Sequence, residues 1–533
     1  MFIMDNQYTV MMCDQCGTQY LDPQPTDAKL SEIYSEDYFL GGNSEEAQAE
    51  RHRMKTKTAM LMLDDLLAYQ GEASGKLLEI GCGQGEFLVE AEARGYQVTG
   101  LEYSQHAAQV AESRLQNGQV IVGDLLTANL PDNSFDVIVH TDVIEHVRDP
   151  HALLQEMHRL LTPNGILQMT TISLRSSSYR LLRRYWMEYK VEHLFYFSDN
   201  ILYTMMYKTG FRRVQRQGTY KILTPEYIKN HFVRYAVPVL TPLMQLGHQV
   251  LPPGFRRRDL KLRGSGVTFF ATAAERRKPK LSVIVPAYNE AGTFTELMSQ
   301  LKNLDLGGMD IDYEIIIVES GSTDGTREQA LALQDQPHVK VVLQDAPRGK
   351  GAAVREGLEN ATGDIIIIQD ADLEYDVSDY ETLLQPMLDG KAAFVLGIRH
   401  VRGSNRRVRH FTTNPRLSTF MNVGHVFFQG LLNLTTGSKM RDPFTMYKIF
   451  WRDAIHNVRL EANRFDFDFE LVIKLLRRGF VPYEIPVNYN SRSFEEGKKV
   501  RLLRDPLTWL VALVKFRFGP MYKPQEEQRD DFR

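Results

Sequence analysis

IIIIQDADLEYD, residues 365–376, sets four isoleucines directly against three acids spaced two apart, Asp370, Asp372 and Glu374. A run of β-branched apolar residues reads as a strand covered on both faces, as inside a parallel sheet. Side chains alternate along a strand, so Asp370 and Asp372 are expected to project the same way if the chain stays extended past the isoleucines. They would converge at the strand's carboxyl end, where open α/β sheets bind ligands. Like charges so close repel unless something positive sits between them, and Mg2+ typically takes one or two carboxylates together with substrate phosphates. The stretch therefore predicts an α/β domain that holds a cation against a diphosphate. A solvated loop after a buried strand is the plainer reading of the same residues.

Working outward, strand and helix signals alternate. LSVIVPAYNE (281–290), YEIIIVES (313–320), GSTDGT (321–326), VKVVLQD (339–345) and PRGKGAAVREGL (347–358) precede the isoleucines. The same theme occurs earlier in KLLEIGCGQGEFL (76–88), YQVTGLEYS (96–104), VIVGDLL (120–126) and SFDVIVHTDVIEHVRDP (134–150). Between the two series, AAERRKPK (273–280) joins charge to a proline and reads as a linker. The expected organisation is two α/β domains with mainly parallel sheets, at 70–275 and 281–505. A segment 1–69 precedes them, 276–280 links them, and an amphipathic helix and tail close the chain at 506–533.

The bounds from composition agree. With 533 residues, 43% hydrophobic and 24% charged, the chain has ordinary globular make-up and length for more than one domain. A formal charge of -4 gives no global basic field, so nucleic acid is not an expected partner. Three cysteines make no disulfide framework, and MFIMDNQYTV lacks the basic-then-apolar start of a signal peptide; a reducing cytoplasm is expected. No apolar stretch approaches the ~20 residues that span a bilayer. Any membrane contact would be peripheral, at the inner face.

With VPAYNE, ESGSTDGT, RGKGAAVREG, QDADLEY, LGIRH and EIPVNYNSRSFEEGKK in that order, residues 280–505 resemble family 2 glycosyltransferases of the GT-A fold, in the dolichyl-phosphate mannosyltransferase-like branch. The resemblance implies inverting transfer from a nucleotide-diphospho-sugar donor (a UDP, GDP or dTDP sugar) to a glycan or lipid-phosphate acceptor. It implies that Asp370 and Asp372 seat Mg2+ or Mn2+, that Pro286, Tyr288, Glu290 and Glu319 hold the nucleotide, that Lys350 binds substrate, and that Arg399, Arg492, Lys498 and Lys499 lie near phosphates. Family members commonly read Asp-Asp-Gly-Ser where this chain has Glu319, Ser320, Gly321 and Ser322. A hydroxyl acceptor would need a general base, for which RFDFDFELVIKLLRRG offers Asp466, Asp468 and Glu470; a phosphate acceptor would need none. An N-cap role for the aspartates is an equal alternative.

In LLEIGCGQGEF the glycines fall at Gly81, Gly83 and Gly85, a G-x-G-x-G turn rather than the dinucleotide G-x-G-x-x-G. S-adenosylmethionine carries no phosphate, so its site needs close backbone approach and acids; Glu79, Glu102 and Asp124 fit. Residues 70–275 resemble class I S-adenosylmethionine-dependent methyltransferases, a Rossmann-like fold, with DVIEHVRDP and RLLTPNGIL in their usual places. By that resemblance the glycines shape the turn, Glu102 holds the ribose and Asp124 lies beside adenine. A Rossmann dehydrogenase is the competing reading. His146 and His193 are candidate bases, and either also reads as a packing histidine.

MMCDQCGTQYLDPQP resembles half of a zinc-ribbon knuckle. Cys13 and Cys16 supply two ligands where a structural zinc takes four, so zinc is not expected. IKNHFVRYAVPVLTPLMQLGHQVLPPGFRRR and LLRDPLTWLVALVKFRF mix apolar, aromatic and basic residues in a manner suited to helices packed on their own domains or to a membrane surface. The composite expectation is a bifunctional transferase in glycan, surface polysaccharide or glycosylated metabolite biosynthesis. The alternative keeps sugar transfer alone, with the first half a S-adenosylmethionine-binding or scaffold module.

Overall fold

The computed structural model describes residues 2–4, 7–14, 16–33, 45–275, 277–399, 415–490 and 504–523. The chain divides into two compact units, Met1–Glu275 and Arg276–Arg533.

The first unit is built on a seven-stranded sheet of β1 (Lys76–Ile80), β2 (Gln97–Glu102), β3 (Gln119–Val122), β4 (Phe135–Thr141), β5 (Leu161–Ile172), β6 (Phe211–Leu223) and β7 (Leu260–Ala273). Their spatial order is β3-β2-β1-β4-β5-β7-β6. Neighbours from β3 to β5 pair in parallel, whereas β7 slots antiparallel between β5 and β6. Leu260–Ala273 thus forms an interior strand, although it comes last among the strands of this unit. The apolar runs of the central strands are covered on both faces: Leu77, Leu78, Val137, Ile138 and Val139 are fully buried. The strand order reverses beside β1, so the glycine turn after β1 opens at the switch point where such sheets bind ligands. A small antiparallel sheet, Phe2–Met4, Tyr8–Met12, Gln19–Asp22 and Phe195–Tyr196, carries Cys13 and Cys16 in its hairpin turn.

The second unit holds β8 (Lys280–Ala287), β9 (Asp312–Glu319), β10 (Val339–Leu343), β11 (Ile365–Ile368), β12 (Phe394–Ile398), β13 (Lys448–Trp451) and β14 (Tyr483–Pro486). They lie in the order β10-β9-β8-β11-β13-β12-β14, with β13 antiparallel to both neighbours. Each isoleucine of β11 is fully buried. The chain does not stay extended beyond them. It turns, with Leu373 at φ 55°, so Asp370 and Asp372 sit on a loop at the sheet's edge rather than on one face of a strand.

Candidate active sites

A cavity of ≈ 810 Å³ opens at the carboxyl ends of β8 and β11. Pro286, Tyr288, Glu290, Lys350, Asp370, Asp372, Arg399 and Asp468 all stand on its wall. Lys350, in the first turn of the helix Lys350–Asn360, places Nζ 2.5 and 2.7 Å from the two oxygens of Asp370. Burial disfavours that ammonium, but Asp370 and its neighbours Asp468 and Asp372 hold its pKa above the ordinary lysine value. One positive group between the acids is therefore supplied by the chain itself. Asp372 Oδ1 accepts from the backbone N–H of Glu374. The cavity wall is also rich in aromatics. Phe428, Phe469 and Trp509 pack ring on ring, and Phe420 of the helix Pro415–Thr436 also lines the cavity.

Several expected residues take other positions. Glu319 is fully buried behind the wall, where its Oε1 accepts from Ser322 N at 2.6 Å and Arg327 approaches Oε2; Ser320 lines the cavity instead. Glu470 is fully buried and off the wall. Its carboxylate accepts from the backbone N–H groups of Glu461 and Ala462 and from Lys474, so it clamps a loop and cannot serve as base to the cavity. Arg399 reaches the wall with its guanidinium already forked on Asp442, at 2.8 and 2.9 Å, which leaves it little to offer a phosphate. Asp468 stays on the wall with Oδ1 2.8 Å from the buried Lys448 ammonium. Asp466 precedes the helix Phe467–Arg478 without a side-chain cap bond. Arg492, Lys498 and Lys499 lie outside the described residues.

In the first unit, Gly81, Gly83 and Gly85 all adopt positive φ, which L side chains rarely tolerate. A Cβ on Gly83 would meet nothing within 4 Å, so the turn's backbone is open there to close approach. Glu102 ends β2 and grips this turn, accepting from Gly83 N at 2.8 Å and Ser104 N at 2.9 Å. Glu79 lies buried beneath it; desolvation, then the charges of Glu86 and Glu102, push its pKa well above the carboxylate range. Asp124 is exposed after β3 and caps its own turn through Leu126 N.

At the carboxyl end of β4, DVIEH brings Glu145 and His146 against His193. One ligand atom of each lies within 4.8 Å of the others, and the two imidazoles meet edge to face at 4.7 Å. Burial raises Glu145 to about 8 and lowers His146 to about 4, so near neutral pH the cluster carries little charge. Glu145 was not among the expected residues, although it adjoins His146 in sequence. Asp442, Lys448 and Trp509 were missed as well, because their partners lie tens of residues away.

The chain thus presents two open α/β sheets, each with acids at its carboxyl edge. Residues 51–216 match the methyltransferase domain family and residues 282–459 match glycosyl transferase family 2. The chain carries a methyltransferase domain followed by a family 2 glycosyltransferase domain, and its class is transferase. It is 28% identical over 238 residues to a dolichol-phosphate mannosyltransferase of Pyrococcus furiosus, a match covering 44% of this chain and 64% of that protein. It is 26% identical over 225 residues to the glycosyltransferase AglJ of Haloferax volcanii, covering 42% of this chain and 67% of AglJ. The chain thus spans less than two thirds of the mannosyltransferase's length. Among solved structures, a SAM-dependent methyltransferase of Thermotoga maritima, described as a possible histamine N-methyltransferase, superposes with a TM-score of 0.30 at 21% identity. That match covers 46% of this chain and 97% of that one.

Proposed function

We propose that the chain is a bifunctional enzyme of glycan assembly. Its second domain transfers a sugar, with inversion, from a nucleotide-diphospho-sugar to a lipid phosphate, and its first methylates a related acceptor from S-adenosylmethionine. The observation that carries the reading is the mixed wall of one cavity, which brings acids and Lys350 together with a set of aromatic rings. Asp370 and Asp372 suit a hard cation, and with Mg2+ or Mn2+ bound they would offset charge on the departing nucleoside diphosphate. Lys350 would then turn from Asp370 to the donor phosphates. Asp468 spends one oxygen on Lys448, which suits positioning better than proton abstraction and favours an acceptor that is already an anion. The aromatic wall fits the apolar chain of a polyprenyl phosphate. Dolichol phosphate and dolichyl phosphate recur in the names of the relatives.

The helices Pro415–Thr436 and Arg504–Phe518 support work at a bilayer surface. Phe420, Val423, Phe427, Val511, Val514 and Phe518 are exposed on them, beside Lys515 and Arg517. Among the described residues, no helix is long and apolar enough to cross a membrane. For the first domain, the open approach at Gly83 with Glu79 and Glu102 alongside fits the amino-acid and ribose parts of S-adenosylmethionine, which when bound supplies the methyl group. The helices Pro225–Tyr235 and Leu240–Val250 pack on one another, yet Leu243, Leu246 and Val250 face outward.

The test is a panel of UDP, GDP and dTDP sugars offered with a short polyprenyl phosphate or with a free glycan, products read by mass spectrometry. A sugar phospholipid formed with one donor is expected. Transfer to the glycan alone, or donor hydrolysis unaffected by the lipid, would overturn the acceptor assignment.

A further inference from the structure

The cluster at the end of β4 has a feature that packing alone leaves unexplained. Glu145 is fully buried and His193 is 3% exposed, yet Glu145 Oε1 and His193 Nδ1 have no hydrogen-bond partner among the described residues. Glu145 Oε2 accepts from Thr171 Oγ1 at 2.8 Å. On the His193 ring, Nδ1 is the buried nitrogen that no group of the described residues satisfies. His146 Nδ1 donates to the Glu192 carbonyl at 2.9 Å, leaving the lone pair of that ring on Nε2. An imidazole fixed by a carbonyl, at His146, and a carboxyl fixed by a hydroxyl, at Glu145, follow the outer-shell pattern that orients metal ligands.

The surrounding chain holds this arrangement rigidly. Leu194 N and Phe195 N both donate to the Glu145 carbonyl, at 2.8 and 3.2 Å, and Leu21 N donates to the Leu194 carbonyl. The segment after His193 is thereby strapped between the β4 turn and the N-terminal hairpin, through the pairing of Gln19 and Tyr20 with Phe195–Tyr196. One ligand atom from each of the three lies within 4.8 Å of the others, a separation that a single cation can bridge. Asp142 is nearby but is engaged by Lys221 Nζ at 3.2 Å, so it is not counted as a ligand.

We propose that Glu145, His146 and His193 form a binding site for a divalent transition-metal ion, separate from the acidic pair of the second domain. Two nitrogens and one oxygen favour Zn2+, Fe2+, Co2+ or Ni2+ over Mg2+, which prefers oxygen alone. Three protein ligands leave positions open, as in catalytic rather than structural sites. The site stands at the carboxyl edge of the methyltransferase sheet, so the open position would take an oxygen of the methyl acceptor. The acceptor class this implies is a hydroxyl or a vicinal oxygen pair.

The test uses full-length, tag-free protein carrying Cys13→Ser, Cys16→Ser and Asp372→Asn, which removes the other two candidate sites. After chelator treatment it is dialysed against Zn2+ or Co2+ and its metal content measured. One equivalent is expected, with an X-ray absorption first shell of two imidazoles and oxygen. His193→Ala is expected to weaken binding at least 100-fold, and Thr171→Val, which frees the carboxylate, about 10- to 100-fold. Circular dichroism and a retained thermal transition show that each variant folds. No bound metal in the parent, a first shell without imidazole, or His193→Ala binding as the parent does would each overturn the proposal. The absorption spectrum decides even where a variant fails to fold.

Discussion

Replacing Asp442 by Asn puts a number on the claim that Arg399 is a structural residue rather than a phosphate ligand. Arg399 and Asp442 are 5% and 0% exposed, and Asp442 accepts three bonds from Arg399, at 2.8, 2.9 and 3.0 Å. Burial works against the ionised carboxyl, but the Arg399 charge and its hydrogen bonds hold Asp442 far below the usual carboxylate range. Breaking a buried pair by removing one partner costs about 3–5 kcal/mol, because the other charge stays buried and unpaired. For a unit of this size, roughly 2–4 °C per kcal/mol gives a fall of about 6–20 °C. Calorimetry of the full chain reads it, the relevant transition being the one that nucleotide and Mn2+ shift. The double variant Arg399→Met, Asp442→Leu, which removes both charges, is expected to recover most of the loss. A fall under ~4 °C for Asp442→Asn, or a double variant as unstable as the single, would refute the reasoning and return Arg399 to the donor phosphates.

Asp468→Asn is expected to leave transfer to a lipid phosphate within about tenfold, whereas a general base to a hydroxyl acceptor would cost about 10²–10⁴-fold; initial rates with both acceptors distinguish the two. Gly83→Ala places a Cβ in the open space of the first domain's glycine turn. It is expected to abolish S-adenosylmethionine binding by calorimetry while lowering stability by only about 1–2 kcal/mol for its left-handed backbone; unchanged binding would remove Gly83 from that site. Glu314 gives a pH signature. Burial would raise its pKa, but Lys280, Ser282 and Thr362 bring it to about 2. Its stabilisation is therefore present above pH ~4.5 and lost as pH falls through the folded value, up to about 3 kcal/mol in all. Denaturation from pH 5 to pH 2 should show a shallower slope in Glu314→Gln than in the parent.

The isoleucine strand was legible because burial on both faces leaves no alternation in the sequence. The glycine turn was legible because three left-handed positions in five residues have few other uses. The path of the chain beyond the isoleucines was not legible: extended continuation and a tight turn both satisfy QDADLEYD, and the positive φ of Leu373 is carried by a residue with no preference for it. The order of the strands, with β13 and β7 inserted against chain order, depends on long crossovers that local patterns do not encode. Partners set the roles of Arg399, Glu470 and Asp468. Asp442, the backbone of Glu461 and Ala462, and Lys448 are brought to them by tertiary packing, so family resemblance and residue type pointed to phosphate binding and catalysis. His146 and His193 were both marked as candidate bases. Their convergence with Glu145 needed the fold, which closes a loop of more than forty residues between them.

The central claim is that the acids after β11 receive a cation and a pyrophosphate together. Calorimetric titration of the full chain with nucleoside diphosphate, with and without Mn2+, and again in Asp372→Asn, tests it most directly. Binding that requires Mn2+ in the parent and is lost in Asp372→Asn is the expected result. Equal affinity with the metal chelated, or an Asp372→Asn variant that binds Mn2+ and nucleotide as the parent does, would contradict it.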